Sequence, residues 1–152
     1  MMKKLMALLL VMTFAMTGIY AGNMEVQAAE DYEVSYMSLE NALIGYMENQ
    51  TRGVYLMDGY SSINDAGNGR IGCGGQTNAA KRCTVSANVV VERKVNGSWV
   101  RETDFSKTSE YAVTVTVSRY LYVAGGYYYR ARTMHYAGSD SSASSTDALW
   151  MY

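Results

Sequence analysis

The sequence predicts an all-β domain, an antiparallel β-sandwich of about seven strands, in residues 53–152. Three observations lead to this prediction. Short segments alternate apolar and polar residues, as strands with one buried face do. Clusters of Gly, Asn, Asp and Ser, which favour turns, separate these segments. The chain has no proline, and no long helical period interrupts these segments, so we expect two packed antiparallel sheets.

The first 28 residues are typical of a cleavable secretory signal peptide. Two lysines precede the apolar stretch 5–20, which is shorter than the roughly 20 residues that span a bilayer. A small-residue motif ending at Ala28 suits signal peptidase, and cleavage after Ala21 or Ala29 is the alternative. The mature chain is therefore expected to be secreted and not to insert into a membrane.

Residues 29–52 allow two interpretations. Leu39, Leu43 and Met47 recur at helical spacing, and Ser38 is a suitable N-cap, which predicts a short helix. Alternatively, the segment is a loose N-terminal arm that contains an edge strand.

Beyond this arm, alternation and turn residues predict each strand in turn. The predicted strands are 53–58, 70–77, 83–93, 98–105, 111–117, 127–136 and 146–152. Between them we expect a turn at 64–69, a two-residue hairpin turn at Asn96-Gly97 and a polar loop at 138–145.

Cys73 and Cys83 are the only two cysteines of the chain. In a secreted protein an even pair predicts a disulfide, which would stabilise the fold by about 2–3 kcal/mol. A zinc site would need further ligands, and His135 is the only histidine. We therefore expect a disulfide and no metal site.

Composition and motifs argue against several classes of function. The formal net charge of −1 disfavours nucleic acid and anionic membranes as main partners. Residues 67–72 match GxGxxG, but the strand before it and the helix after it that a dinucleotide fold needs are missing. No GxSxG motif accompanies His135, so we expect a structural histidine. The prediction is a protein without catalytic activity or cofactor.

Tyrosine is the most informative excess, with 14 tyrosines and two tryptophans in the chain. In the strand 127–136, alternation places tyrosine and arginine together on one face, and both types are enriched at protein interfaces. The candidate binding surface consists of Tyr128, Arg130, Arg132, Tyr136, Trp99 and Trp150. The alternative is ordinary packing of tyrosine rings over arginine stems on an outer sheet face.

Residues 123–133 combine an apolar residue, the turn Gly125-Gly126, and a tyrosine before alternating inward residues. This pattern resembles the turn and sixth strand of fibronectin type III domains, with Gly-Gly in place of Pro-Gly. Tyr129 matches the position whose hydroxyl bonds to the chain upstream, the tyrosine corner. The resemblance implies an immunoglobulin-like sandwich and says little of function.

Four further segments carry a second resemblance. They are Arg52-Gly53, Gly75-x-Thr77-x-Ala79, Gly97-Ser98-Trp99 and Gly126-Tyr-Tyr-Tyr-Arg130. This layout resembles a family of small secreted proteins of Gram-positive bacteria whose function is unknown. The resemblance implies an extracellular location and supplies no catalytic residues.

The predicted function is therefore binding, either to a protein partner or to a cell-surface glycan. An exposed, coplanar row of aromatic rings would favour a glycan, and a convex patch of tyrosine and arginine would favour a protein. A pocket with His135 beside a serine and a carboxylate would favour a small hydrolase. A toxin-like secreted protein is a further alternative.

Overall fold

The computed structural model describes residues 39–47 and 53–152. Within these residues all regular elements are strands, and every strand pair is antiparallel. The strands are β1 (Leu43–Tyr46), β2 (Leu56–Gly67), β3 (Arg70–Val95), β4 (Ser98–Tyr122), β5 (Tyr127–Ala137), β6 (Asp140–Ser145) and β7 (Leu149–Met151). The predicted all-β class and antiparallel sheet are confirmed. The predicted signal peptide, residues 1–28, lies outside the described residues.

β3 is the central strand of the sheet. Its first half pairs with β2, its second half pairs with β5, and β4 runs beside both halves. The register between β3 and β4 is irregular between Asn78 and Cys83. Ile71 from the first half and Val89 from the second half share one hydrophobic cluster, so the long hairpin folds over and its two halves face each other.

The sheet curls until its ends nearly meet. Hydrogen-bonded neighbours follow the order β1-β2-β3-β5-β6, and β7 also pairs with β5. At the ends, a Cβ added to Gly45 of β1 would lie 1.8 Å from the carbonyl oxygen of Ser145 in β6. All seven strands therefore belong to one connected, nearly barrel-shaped sheet.

Two tight turns connect the longest strands. Asn96 and Gly97 both have positive φ, 51° and 82°, as the predicted two-residue hairpin turn requires. The turn between β2 and β3 lies at Asn68 and Gly69, with φ of 55° and 72°. It is shorter than the predicted turn at 64–69, because β2 continues as a paired strand to Gly67.

Two sequence predictions about strand ends were wrong. The strands predicted at 98–105 and 111–117 are parts of one strand, β4, which continues past Tyr111 although that residue has a φ of 50°. The polar loop predicted at 138–145 contains β6, since Ser144 points inward and its hydroxyl bonds to buried polar groups. A buried hydroxyl that is fully hydrogen-bonded is compatible with a strand.

The described part of the N-terminal arm forms a strand and not a helix. Residues 43–46 pair with Tyr60 to Ile63 of β2 and make β1, the edge of the sheet. The helical spacing of apolar residues was therefore misleading here, because Leu43 packs against the main core as part of a strand.

Two hydrophobic clusters fill the interior. The first includes Ile63, Val91 and Tyr129, and the second includes Val85 and Val115. Among the buried polar residues, five are linked by side-chain hydrogen bonds: Ser61, Thr77, Thr133, His135 and Ser144. We call these five residues the buried polar network.

Candidate interaction surface

β5 presents four of the predicted surface residues on its outer face. Tyr128, Arg132 and Tyr136 are exposed, and Arg130 is half-buried. The alternate residues of β5 are fully buried: Tyr129, Ala131, Thr133, His135 and Ala137. The alternation in the sequence thus predicts which face of β5 meets solvent.

β7 adds Trp150 to this face. Trp150 lies opposite Tyr128, with ring centroids 4.8 Å apart and ring planes inclined at 61°. Trp150 also contacts Tyr152, at 6.4 Å and 88°. Edge-to-face contacts are favourable for aromatic rings. We call Tyr128, Trp150 and Tyr152 the aromatic cluster, and its rings are inclined to one another and do not form a coplanar row.

Tyr152 was not among the predicted surface residues. It is 99% exposed, and the sequence signal for it was its spacing, two residues after Trp150, which places both on one side of a strand.

Trp99 reaches the same face from β4. The Arg130 guanidinium lies 4.3 Å from the centre of the Trp99 ring, and the Lys94 ammonium lies 5.7 Å from it. Arg130 also donates a hydrogen bond of 2.6 Å from Nε to Glu92. Cation–π and ion-pair contacts of this kind hold a guanidinium in place. Trp99 therefore packs against cations and is less available than Trp150.

The remaining two predicted residues extend the face away from the aromatic cluster. Arg132 is exposed and forms no ion pair with any described residue. Tyr136 lies eight residues beyond Tyr128, roughly 26 Å along a strand that rises about 3.3 Å per residue. The structure thus groups Tyr128 with Trp150 and Arg130 with Trp99, places Arg132 midway along the strand, and leaves Tyr136 at the far end.

Tyr129 stands behind this face, in the core. It is fully buried, and its hydroxyl donates a hydrogen bond of 2.9 Å to the carbonyl of Ala124, five residues upstream. Burial raises the pKa of Tyr129, so the hydroxyl keeps its proton and fixes the turn before β5.

The predicted disulfide is corrected by the structure, in which both cysteines are free. Cys73 and Cys83 lie on the same strand, β3, opposite Arg119 and Ala112 respectively. Their partners on β4 are seven residues apart, whereas a disulfide joins Cα atoms only about 4.4–6.8 Å apart. Cys73 belongs to the first hydrophobic cluster and Cys83 packs against the second.

Alkylation without a reductant is expected to modify Cys83 and to leave Cys73 unmodified until the protein unfolds. Cys83 is partly exposed, while Cys73 is buried, and burial raises its pKa to about 12. The thiolate is the reactive form. Mass spectrometry after iodoacetamide treatment, in native buffer and in denaturant, measures both sites. Protection of both thiols in denaturant until a reductant is added would show a disulfide.

His135 is hydrogen-bonded at both ring nitrogens. Nδ1 lies 2.8 Å from Thr77 Oγ1, and Nε2 lies 2.8 Å from Ser144 Oγ. Thr77 donates its own proton to the carbonyl of Ser86 at 3.0 Å, so it accepts from Nδ1, and Nε2 accepts from Ser144. Burial lowers the pKa of His135 to about 4, which keeps the ring neutral at neutral pH.

The network continues from Ser144 across the interior. Ser144 Oγ lies 2.7 Å from Ser61 Oγ, which lies 2.8 Å from Thr133 Oγ1. His135 and Ser144 form a serine–histidine pair, but both are buried and the bonded partners of His135 are hydroxyls. Nucleophilic catalysis needs a group that reaches the substrate, so this geometry supports a structural role for the pair.

A second organised surface lies on the outer face of β2, β3 and the end of β4. It consists of Asp58, Tyr60, Gln76, Asn78, Thr114 and Thr116, which we call the polar ladder. Gln76 Oε1 accepts hydrogen bonds from Thr116 at 3.1 Å and Tyr60 at 3.3 Å. Asn78 Oδ1 accepts from Gln76 at 3.1 Å and Thr114 at 2.9 Å. These bonds fix the orientation of both amides.

Within the described ranges, no helix is long and apolar enough to cross a membrane, and no three His, Cys, Asp or Glu side chains are grouped as metal ligands would be. No family model, curated protein or solved structure matches the chain. The resemblance to small secreted proteins of Gram-positive bacteria therefore stays a prediction.

Proposed function

We propose that the protein is a secreted, non-catalytic, sandwich-like β-domain that binds a protein partner through the outer face of β5 and β7. The observation that carries this proposal is the aromatic cluster with basic side chains beside it. Tyrosine, tryptophan and arginine are the residue types most enriched among residues that dominate binding energy.

The inclination of the rings favours a protein over a flat sugar. A sugar ring stacks best on an exposed flat platform, whereas the Trp150 ring is inclined at 61° to one neighbour and 88° to the other. Inclined rings offer edges and clefts that side chains of a folded partner can fill.

Charge indicates the chemistry of the partner. Glu92 neutralises Arg130, and Asp104 pairs with Arg101, but Arg132 has no ionic partner among the described residues. Its guanidinium lies on the same face of β5 as Tyr128, four residues or roughly 13 Å further along the strand, and suits a carboxylate on the partner. We therefore expect a partner surface with an apolar residue for the aromatic cluster and an acidic residue for Arg132.

Replacing Trp150 or Tyr128 by Ala is expected to weaken partner binding by tenfold or more, since the loss of a binding hot spot costs about 2 kcal/mol. The partner is first captured from the culture medium and cell surface of the source organism and identified by mass spectrometry. Its dissociation constant is then measured by calorimetry for each variant.

Tyr46→Ala provides the matched control, because Tyr46 is 69% exposed on β1, which pairs with β2 and not with the strands that carry Tyr128 and Trp150. Its binding is expected to equal that of the wild type. Two outcomes would contradict the proposed surface. One is that Trp150→Ala binds the partner as tightly as the wild type does, and the other is that Tyr46→Ala weakens binding as much as Trp150→Ala does.

A second candidate function is binding of a cell-surface glycan by the polar ladder. Its amides, hydroxyls and the Asp58 carboxylate are held in fixed orientations, and Asn78 Nδ2 donates to Asp58. Convergent polar groups beside an exposed ring, here Tyr46, suit a polyhydroxylated ligand. Retention on insoluble polysaccharide that is lost in Gln76→Ala and kept in Trp150→Ala would favour this function over the first.

A further inference from the structure

One edge of β4 has no strand partner among the residues that the structure describes. It pairs with β3 along its length, and no other described strand pairs with it. Unpaired strand edges present backbone N–H and C=O groups that can join another strand. Natural proteins protect such edges with charged side chains.

The two halves of β4 differ in this protection. The first half carries five charged residues: Arg101, Glu102, Asp104, Lys107 and Glu110. The segment 112–118, with the sequence AVTVTVS, has no charge, no proline and no glycine. Val113 is 43% exposed, and Thr114 and Thr116 are also exposed. A run of β-branched residues on an edge that no described strand covers favours strand pairing.

This segment is also symmetric about its centre, Val115. On either side of Val115 stand two threonines, Thr114 and Thr116, and beyond them two valines, Val113 and Val117. When two antiparallel copies pair about a two-fold axis through Val115, each threonine lies opposite a threonine and each valine opposite a valine. Such pairs of β-branched residues stabilise neighbouring strands.

The polar ladder ends at this edge. Thr116 bonds to Gln76 and Thr114 bonds to Asn78 within one copy. In the symmetric pair, Thr116 of one copy lies opposite Thr114 of the second copy, so the two polar ladders become one continuous row. Hydroxyl pairs opposite each other on neighbouring strands are favourable.

We infer that the protein forms a symmetric dimer in which residues 113–117 pair antiparallel with the same residues of a second copy. This interface is separate from the β5 face of the proposed function. Five paired residues bury less than the roughly 1,600 Å² of a standard interface, so we expect a dissociation constant in the micromolar range.

A charge-swap experiment tests this register. The variant Thr114→Lys/Thr116→Lys places like charges opposite each other across the two-fold axis, whereas Thr114→Lys/Thr116→Glu places opposite charges there. Both variants lose the same bonds to Asn78 and Gln76. Sedimentation equilibrium of the full chain is expected to show dimerisation weakened about tenfold in the first variant and retained in the second.

Ser106→Lys, an exposed position in the charged half of β4, is the control and is expected to dimerise as the wild type does. A wild-type protein that stays monomeric at millimolar concentration overturns the inference. If the β4 amides of that monomer resist hydrogen exchange, residues 1–38 cover the edge instead. Equal dimerisation by both charge variants also overturns it.

Discussion

Lowering the pH from 6.5 to 4 is expected to reduce the free energy of unfolding by about 3 kcal/mol through His135 alone. Burial lowers the pKa of His135 from 6.5 to about 4 in the folded protein, although the nearby Asp58 charge opposes this shift. Between these values the unfolded chain binds a proton that the folded chain does not. The stability that the neutral ring contributes is therefore complete above pH 6.5 and is lost as the pH falls towards 4.

The measurement is chemical denaturation at a series of pH values, for the wild type and for His135→Gln. Both proteins have the same carboxylates, so the difference between their pH profiles isolates the histidine. Parallel profiles between pH 6.5 and 4 would show that His135 does not cause the acid destabilisation.

Replacing Gly45 by Ala is expected to destabilise the protein by about 3 kcal/mol, because a methyl group here separates β1 from β6. The added Cβ would lie 1.8 Å from the oxygen and 2.3 Å from the carbon of the Ser145 carbonyl, and 2.8 Å from the Thr146 nitrogen. All three atoms belong to the backbone and cannot rotate away. The barrel-shaped sheet then opens between β1 and β6.

Gly69→Ala is the matched control for this prediction. Gly69 has a φ of 72° and no atom near the position of an added Cβ. Its replacement therefore destabilises the protein only because alanine must adopt a left-handed backbone conformation, which lowers the free energy of unfolding by about 1 kcal/mol. Urea unfolding compares the two variants. A smaller loss in Gly45→Ala than in Gly69→Ala would show that β1 and β6 do not approach as described.

Local patterns in the sequence predicted the local features of this fold. Alternation identified the buried face of β5, from Tyr129 to Ala137, because a strand has a period of two. The Asn96-Gly97 pair identified the hairpin turn, because both residues accept positive φ. Each signal depends on neighbouring residues only.

Glycines inside strands were harder to interpret. The strand predicted at 70–77 contains the glycine-rich stretch 72–75, which pairs with β2 on one side and with β4 on the other. A Cβ at Gly75 would lie 2.4 Å from the Thr133 hydroxyl, and one at Gly59 would lie 2.6 Å from the His135 ring. These glycines make room for β5 side chains, which only the folded arrangement of β2, β3 and β5 reveals.

The candidate surface was predictable in part. Because side chains alternate between the two faces of a strand, the sequence predicted that Tyr128, Arg130 and Arg132 share one face. The contacts of Trp99 and Trp150 depend on the register of β4 and β7. The disulfide prediction was wrong for a related reason. It paired two cysteines because the protein is expected to be secreted, but Cys73 and Cys83 lie along one strand.

The hairpin of β3 and β4 sets an order for folding. Pairing begins at Val95 and Ser98, beside the turn, and extends to Arg70 and Tyr122 at the open end. Contacts near the turn close the shortest loops and cost the least chain entropy. We expect the pairing of β3 with β4 to form first at this turn and then to extend towards the open end. The two-residue turn thereby fixes the register of the hairpin, on which β2 and β5 later assemble.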